Sequence, residues 1–152
     1  MATETPTHAH SVSVAGVVTD GAGRVLVIQR HDNGHWEPPG GILERGETLE
    51  QGVQREIMEE TGVQVTVDRL TGVYKNMSRG IVALVYRCSI KAGHPRASNE
   101  ATSVRWVDRD QIDALMSPAY AARVHDAFHA TASSRAHDGI DLIDGSLNNT
   151  TP

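Results

Sequence analysis

Three glutamates at helical spacing are the residues best suited to chemistry. Glu56, Glu59 and Glu60 stand at i, i+3 and i+4 within a segment, Thr48 to Thr61, that reads as a helix. At roughly 100° per residue they share one arc of the helix surface. Carboxylates that close repel one another and raise each other's pKa, and a cation removes that penalty. Mg²⁺ takes oxygen ligands in octahedral geometry and keeps positions for water and phosphate oxygens, so the cluster suits metal-assisted chemistry on phosphates. A solvated acidic face is the alternative, because glutamate is a good helix former. Leu49, Val53 and Ile57 repeat at i, i+4 and i+8 as the apolar stripe of the same helix. The acidic arc overlaps the edge of that stripe, which predicts carboxylates lining a cleft where the helix meets a sheet.

The surrounding pattern supplies the elements that must hold this helix. Ser11–Thr19 is apolar and β-branched, and Asp20-Gly21-Ala22-Gly23 is a turn signal before a second strand over Arg24–Arg30. Residues 31–41 carry Pro38, Pro39 and three glycines and read as a loop. The helix begins with a capping-box pair, Thr48 and Gln51, and ends before Gly62. Strands are predicted over Val63–Lys75, Gly80–Lys91 and Thr102–Val107. A helix capped by Asp108 and a last helix over Tyr120–Ala130 follow. Strands interleaved with helices predict an α/β class with a mixed sheet. The expected division is a flexible lead over 1–10, one domain over 11–130 and a weakly ordered tail over 131–152.

Bulk properties exclude several functions. A length of 152 residues with 39% hydrophobic content suits one packed core. A net charge of −5 disfavours a nucleic-acid polymer as partner, since phosphate backbones select basic faces. No apolar run approaches a membrane span, and Met1–His10 lacks the basic and apolar regions of a signal peptide, so a cytoplasmic protein with no membrane partner is expected. The lone Cys88 lies in an alternating strand pattern and reads as a buried structural thiol. No histidine pair shows the H-E-x-x-H spacing of a zinc site; His31 and His35 read as solvated.

The segment GILERGETLEQGVQREIMEETGV, Gly41–Val63, resembles the Nudix box, G-x5-E-x7-R-E-U-x-E-E-x-G-U with U aliphatic. Gly41, Glu47, Arg55, Glu56, Glu59, Glu60 and Gly62 fill every single-identity position. A chance match at one start has a probability on the order of 10⁻⁸ at average residue usage. Trp36-Glu37-Pro38-Pro39-Gly40-Gly41 looks like the lead typical of MutT-like members, and Val104-Arg105-Trp106-Val107 like the family's late strand. The resemblance covers roughly Val12–Leu115. It implies an α/β/α sandwich around a mixed central sheet, with the box as loop, helix and loop. It also implies a hydrolase that uses Mg²⁺, or Mn²⁺ in its place, to cut a diphosphate linkage in a small nucleotide-like substrate. Carried onto this chain, Glu56, Glu59 and Glu60 hold the metal, Arg55 and Glu47 pair to brace the loop, and the Gly40–Gly41 backbone approaches metal and phosphates. The general base stays open among Glu56, Glu60 and Glu100. Homodimerisation is common in the family.

Other residues carry two readings each. Arg30 suits a phosphate or is a surface arginine at a strand end. Trp36 stacks on a base or packs beside the glycine loop; Trp106 reads as core. Tyr74, Asn76 and Arg79 flank the expected cleft and could read base or sugar. The chain lacks the later proline of ADP-ribose-specific members, the S-Q-P-W-P-F-P array of NADH-specific ones and the coenzyme A signature. A MutT-like reading remains, with nucleoside triphosphates, oxidised ones included, or sugar nucleotides as candidates. A non-catalytic nucleotide sensor on the same fold is the alternative of another class. An isoprenoid diphosphate isomerase needs a cysteine at the site, which Cys88 does not supply.

Overall fold

The computed structural model describes residues 6–143. Its chain order is β1 (Ser11–Thr19), β2 (Val25–Arg30), β3 (Trp36–Glu37), β4 (Gly40–Ile42), α1 (Leu49–Thr61), β5 (Gln64–Asn76), β6 (Ile81–Ala92) and β7 (Ala101–Val107). A single 3₁₀ turn, Arg109–Gln111, then leads into α2 (Ile112–Leu115), α3 (Pro118–Asp126), β8 (Ser133–His137) and β9 (Leu142–Ile143).

The strands form one mixed sheet in the order β3-β2-β1-β6-β5-β8-β9, with β4 added to β1 and β7 to β2. β1 runs parallel to β6 over Ser11–Thr19, and β5 runs parallel to β8; the remaining pairs are antiparallel. Alternation along β1 divides the core. Val14 and Val18 face α1, where they join Val53, Ile57 and Leu26. Ala15 and Val17 face the opposite way, with Val25, Ile112 and Val124. The three layers of the expected α/β/α sandwich follow from that division. Val53 and Ile57 are fully buried, each worth about 1.5–3 kcal/mol of removed apolar surface. A Cβ on Gly16 would stand 2.5 Å from Ile57 Cδ1, so glycine on β1 is what lets α1 sit this close.

Two predicted regions differ. The proline- and glycine-rich segment 31–41 contains β3 and β4, and β4 pairs Gly40 with Ala15 and Gly41 with Val14. The expected weak order from residue 131 is corrected by β8 and β9. Ser133–His137 has no apolar alternation; its ladder to β5 and the Arg135–Asp126 ion pair hold it instead. The lead at 1–5 and the tail at 144–152 lie outside the described residues. No described helix is long and apolar enough to cross a membrane.

Candidate active site

The helix α1 is fixed at both ends by its own sequence. Thr48 Oγ1 accepts the Gln51 amide at 3.1 Å, and Gln51 Oε1 accepts the Thr48 amide at 2.9 Å. Gly62 closes the other end at φ 76° and donates its amide to Met58 O, a left-handed cap that glycine adopts without Cβ strain. With the Val53–Ile57 stripe seated on β1, the carboxylates of Glu56 and Glu60 are turned into the cleft between α1 and β4 and are buried, while Glu59 is half exposed at its rim.

Arg55 gathers the acids. Its Nε donates to Glu47 Oε2 at 2.9 Å and its Nη2 to Glu47 Oε1 at 2.6 Å. Nη1 donates to Glu56 at 2.8 Å and to Glu59 at 3.3 Å, and Nη2 also to the Ile42 carbonyl at 3.1 Å. This fork holds the Glu47 carboxyl down at about 2 and stitches the 42–47 loop to the helix. Gly40 and Gly41 pass directly over the acids. The Gly40 amide donates to Glu60 Oε1 at 2.7 Å, and a Cβ on Gly41 would stand 2.6 Å from the Glu56 carboxyl group.

Glu100 joins from another element. Its carbonyl accepts the His31 amide at 3.0 Å, which ties the loop before β7 to the end of β2. One carboxylate oxygen each of Glu56, Glu59 and Glu100 lie within 4.8 Å of one another; Glu60 stands beside this group, engaged by Gly40. Burial pushes the Glu60 carboxyl up to about 8, reinforced by the charges of Glu56, Glu37 and Glu100 and opposed by the Gly40 bond. Burial also raises Glu56, against the pull of Arg55. An all-oxygen donor set, two of its members desolvated beside like charges, fits a hard divalent cation.

The acids line an open cleft of about 680 Å³. It continues over Arg30, Gly40, Gly41 and Ile42 into a second lobe of about 240 Å³ on the α3 side of the sheet. Arg30 lies at the junction, donating twice to Asp32 at 2.6 and 2.8 Å and once to Glu37 at 3.1 Å. Asn76 and Arg79 line the second lobe. Tyr74 is corrected: it is fully buried in the core and donates its hydroxyl to Asp126 at 2.7 Å. Trp36 lines neither lobe: its ring packs under the Arg105 guanidinium, 4.3 Å away, and lines a neighbouring pocket with Leu115 and Tyr120, in keeping with the packing reading. Trp106 packs on the core and Cys88 is buried, its thiol pushed up to about 12 by desolvation. Among the cleft residues without a recognisable signal in the sequence are Glu37 and Arg123. Glu37 lies inside the W-E-P-P-G-G lead, and Arg123 carries no local signal.

Comparison with known proteins places the architecture. A NUDIX domain model matches residues 9–129. A MutT-like protein of Streptomyces ambofaciens is 55% identical over 135 residues, 88% of each chain. An ADP-ribose pyrophosphatase of Methanocaldococcus jannaschii is 32% identical over 112 residues, 69% of this chain and 66% of that one. A NUDIX hydrolase from Nitrosomonas europaea shares the fold, with a TM-score of 0.71 at 23% identity over 90% of this chain and 99% of that chain. The sandwich is thus a Nudix hydrolase fold, and the chain belongs to the Nudix family as a MutT-like member.

Proposed function

We propose that this protein hydrolyses a diphosphate linkage in a nucleoside di- or triphosphate derivative, with Mg²⁺ held at Glu56, Glu59 and Glu60 beside the Gly41 backbone and Mn²⁺ able to replace it. The observation that carries this reading is the convergence of Glu56, Glu59, Glu60 and Glu100, from two separate elements, on one open cleft with the volume to admit phosphates. The bound cation would neutralise phosphate charge and acidify a water. The chain's own groups do the rest. Arg55 clamps Glu47, Glu56 and Glu59 in fixed positions, as outer ligands do for metal-binding carboxylates. The absent Cβ of Gly41 leaves room over Glu56 for substrate oxygens. A carboxylate of the cleft takes the proton of the attacking water, for which Glu56, Glu60 and Glu100 are the candidates.

Turnover separates this reading from a nucleotide sensor on the same fold. A product-release screen over nucleoside triphosphates, oxidised nucleotides and sugar nucleotides, with orthophosphate, pyrophosphate and nucleoside mono- and diphosphates all quantified, in Mg²⁺ and in chelator, is the test. Metal-dependent release from at least one substrate is expected. Tight nucleotide binding with no release from any of them would overturn the assignment in favour of the sensor.

A further inference from the structure

Arg123, on α3, is only 8% exposed and lines the second lobe of the cleft, yet among the described residues it has no carboxylate partner. Its Nε has no hydrogen-bond partner. Its Nη2 lies 3.4 Å from His137 Nε2, but His137 Nδ1 already accepts the Gly139 amide at 2.9 Å. A neutral imidazole has one accepting nitrogen, so His137 Nε2 carries the ring proton and offers Arg123 nothing. The rings of Tyr120 and Tyr74, 4.6 and 5.2 Å from the guanidinium carbon, hold its plane without satisfying its donors. A buried guanidinium usually meets a carboxylate or phosphate in a forked geometry; here Glu37, in the same lobe, attracts it through space but makes no hydrogen bond to it.

The lobe around it is rich in donors. Asn76 accepts the Ser78 and Arg79 amides with its carbonyl oxygen, and its NH₂ makes no hydrogen bond among the described residues. Arg79 stands at the mouth. The lobe's one carboxylate, Glu37, is engaged by Arg30 at 3.1 Å. A substrate whose diphosphate occupies the acidic cleft would reach this lobe with the moiety on the other side of the linkage.

Resting on the diphosphate hydrolase reading, we infer that Arg123 is a substrate-binding, specificity-determining residue. The second lobe receives an acceptor oxygen carried by that moiety. The oxygen comes from a carbonyl of an oxo-bearing base or from a further anionic group such as a carboxylate.

Matched substrate pairs test this on the full-length chain. UTP against CTP and ITP against ATP differ by oxo and amino groups; UDP-glucuronate against UDP-glucose differs by a carboxylate. The wild type should favour the oxygen-bearing member of at least one pair through KM. Arg123→Met should erase the preference by raising that KM about 10- to 100-fold, the size of a lost charged hydrogen bond, with kcat nearly unchanged. Arg123→Lys should restore part of it. Preference in the base pairs identifies a carbonyl, and preference in the sugar pair alone an anionic group. The melting temperature of Arg123→Met should not fall markedly, because the cost of burying a cation without a hydrogen-bonded carboxylate offsets what its contacts with the Tyr120 and Tyr74 rings contribute. An unchanged substrate ranking in Arg123→Met, no wild-type preference in any pair, or a marked fall in its melting temperature each overturns the role of Arg123. Absence of metal-dependent turnover of every substrate by the wild type instead overturns the hydrolase reading beneath it.

Discussion

Glu60 accepts the Gly40 amide at 2.7 Å, a bond that joins the last turn of α1 to the strand β4, 20 residues earlier in the chain. The bond fixes one carboxylate oxygen and leaves the other to the cleft. It also holds the Gly40–Gly41 backbone directly over Glu56, so the geometry of the glycine pair and that of the acids cannot change independently.

Glu60→Gln keeps the shape of the side chain and its capacity to accept from Gly40 but removes the charge. We expect a loss of at least ~10²-fold in the rate of hydrolysis, since a bound metal contributes several kcal/mol to such a reaction. Equal rates for the two proteins at saturating Mg²⁺ would remove Glu60 from the metal site.

The raised Glu60 carboxyl gives a pH dependence with a definite sign. Its folded-state value, about 8, lies above the ordinary 4.5, so the folded protein holds this proton more tightly than the unfolded chain. Stability from that difference is complete below about pH 4.5 and is lost as pH rises through about 8. Glu56 is shifted in the same direction. Glu47 and Asp32, both at about 2, act only in more acidic solution. Melting temperature in chelator should therefore fall between roughly pH 5 and 8, and Mg²⁺ should flatten the slope because it stabilises the ionised carboxylates. A melting temperature that climbs over this window in chelator contradicts the burial argument.

Arg55→Lys retains a positive charge but loses the fork that grips Glu47 at two points. Metal affinity and rate should each drop about 10- to 100-fold, the usual cost of removing a group that orients metal ligands. Circular dichroism should be unchanged. Glu47→Gln should give a similar loss, and the double variant should be little worse than either single one. Additive losses would show that the two residues act separately.

Gly41→Ala and Gly40→Ala should separate site from fold. The added methyl at 41 meets the Glu56 carboxyl, whereas at 40 it meets the Val14 carbonyl and the backbone of Ala15. A side-chain carboxylate can swing aside; a strand cannot. Titration calorimetry should show Gly41→Ala weakening Mg²⁺ binding about tenfold or more with a small change in melting temperature. Gly40→Ala should cost about 1–3 kcal/mol of stability through backbone displacement. The reverse pattern would mean that the glycine pair is oriented differently over α1.

Tyr74→Phe tests the place of Tyr74 in the core. Asp126 is 1% exposed and accepts from the Tyr74 hydroxyl and twice from Arg135, all at 2.7 Å. Loss of one donor to a buried carboxylate should cost about 1.5–3 kcal/mol, seen in denaturant unfolding, with KM unaltered. A large rise in KM at unchanged stability would return Tyr74 to the substrate site.

What the sequence determined by itself is local. The capping box at Thr48, the glycine stop at Gly62, the Val53–Ile57 stripe and the acid spacing all act within one or two turns of α1, and each is found where the spacing put it. Hydrogen bonds and side-chain periodicity of that range are written in consecutive residues. The tertiary structure decided what depends on packing between distant segments. Alternation along β5 shows that Tyr74 and Asn76 share a face, but only the position of α3 turns the first into core and leaves the second at the lobe. Ser133–His137 joins the sheet through backbone bonds to β5, which no side-chain pattern announces. Arg123 is buried because α3 docks on the sheet beside Tyr74 and His137, and a charged residue in a short helix gives no sign of that in the sequence.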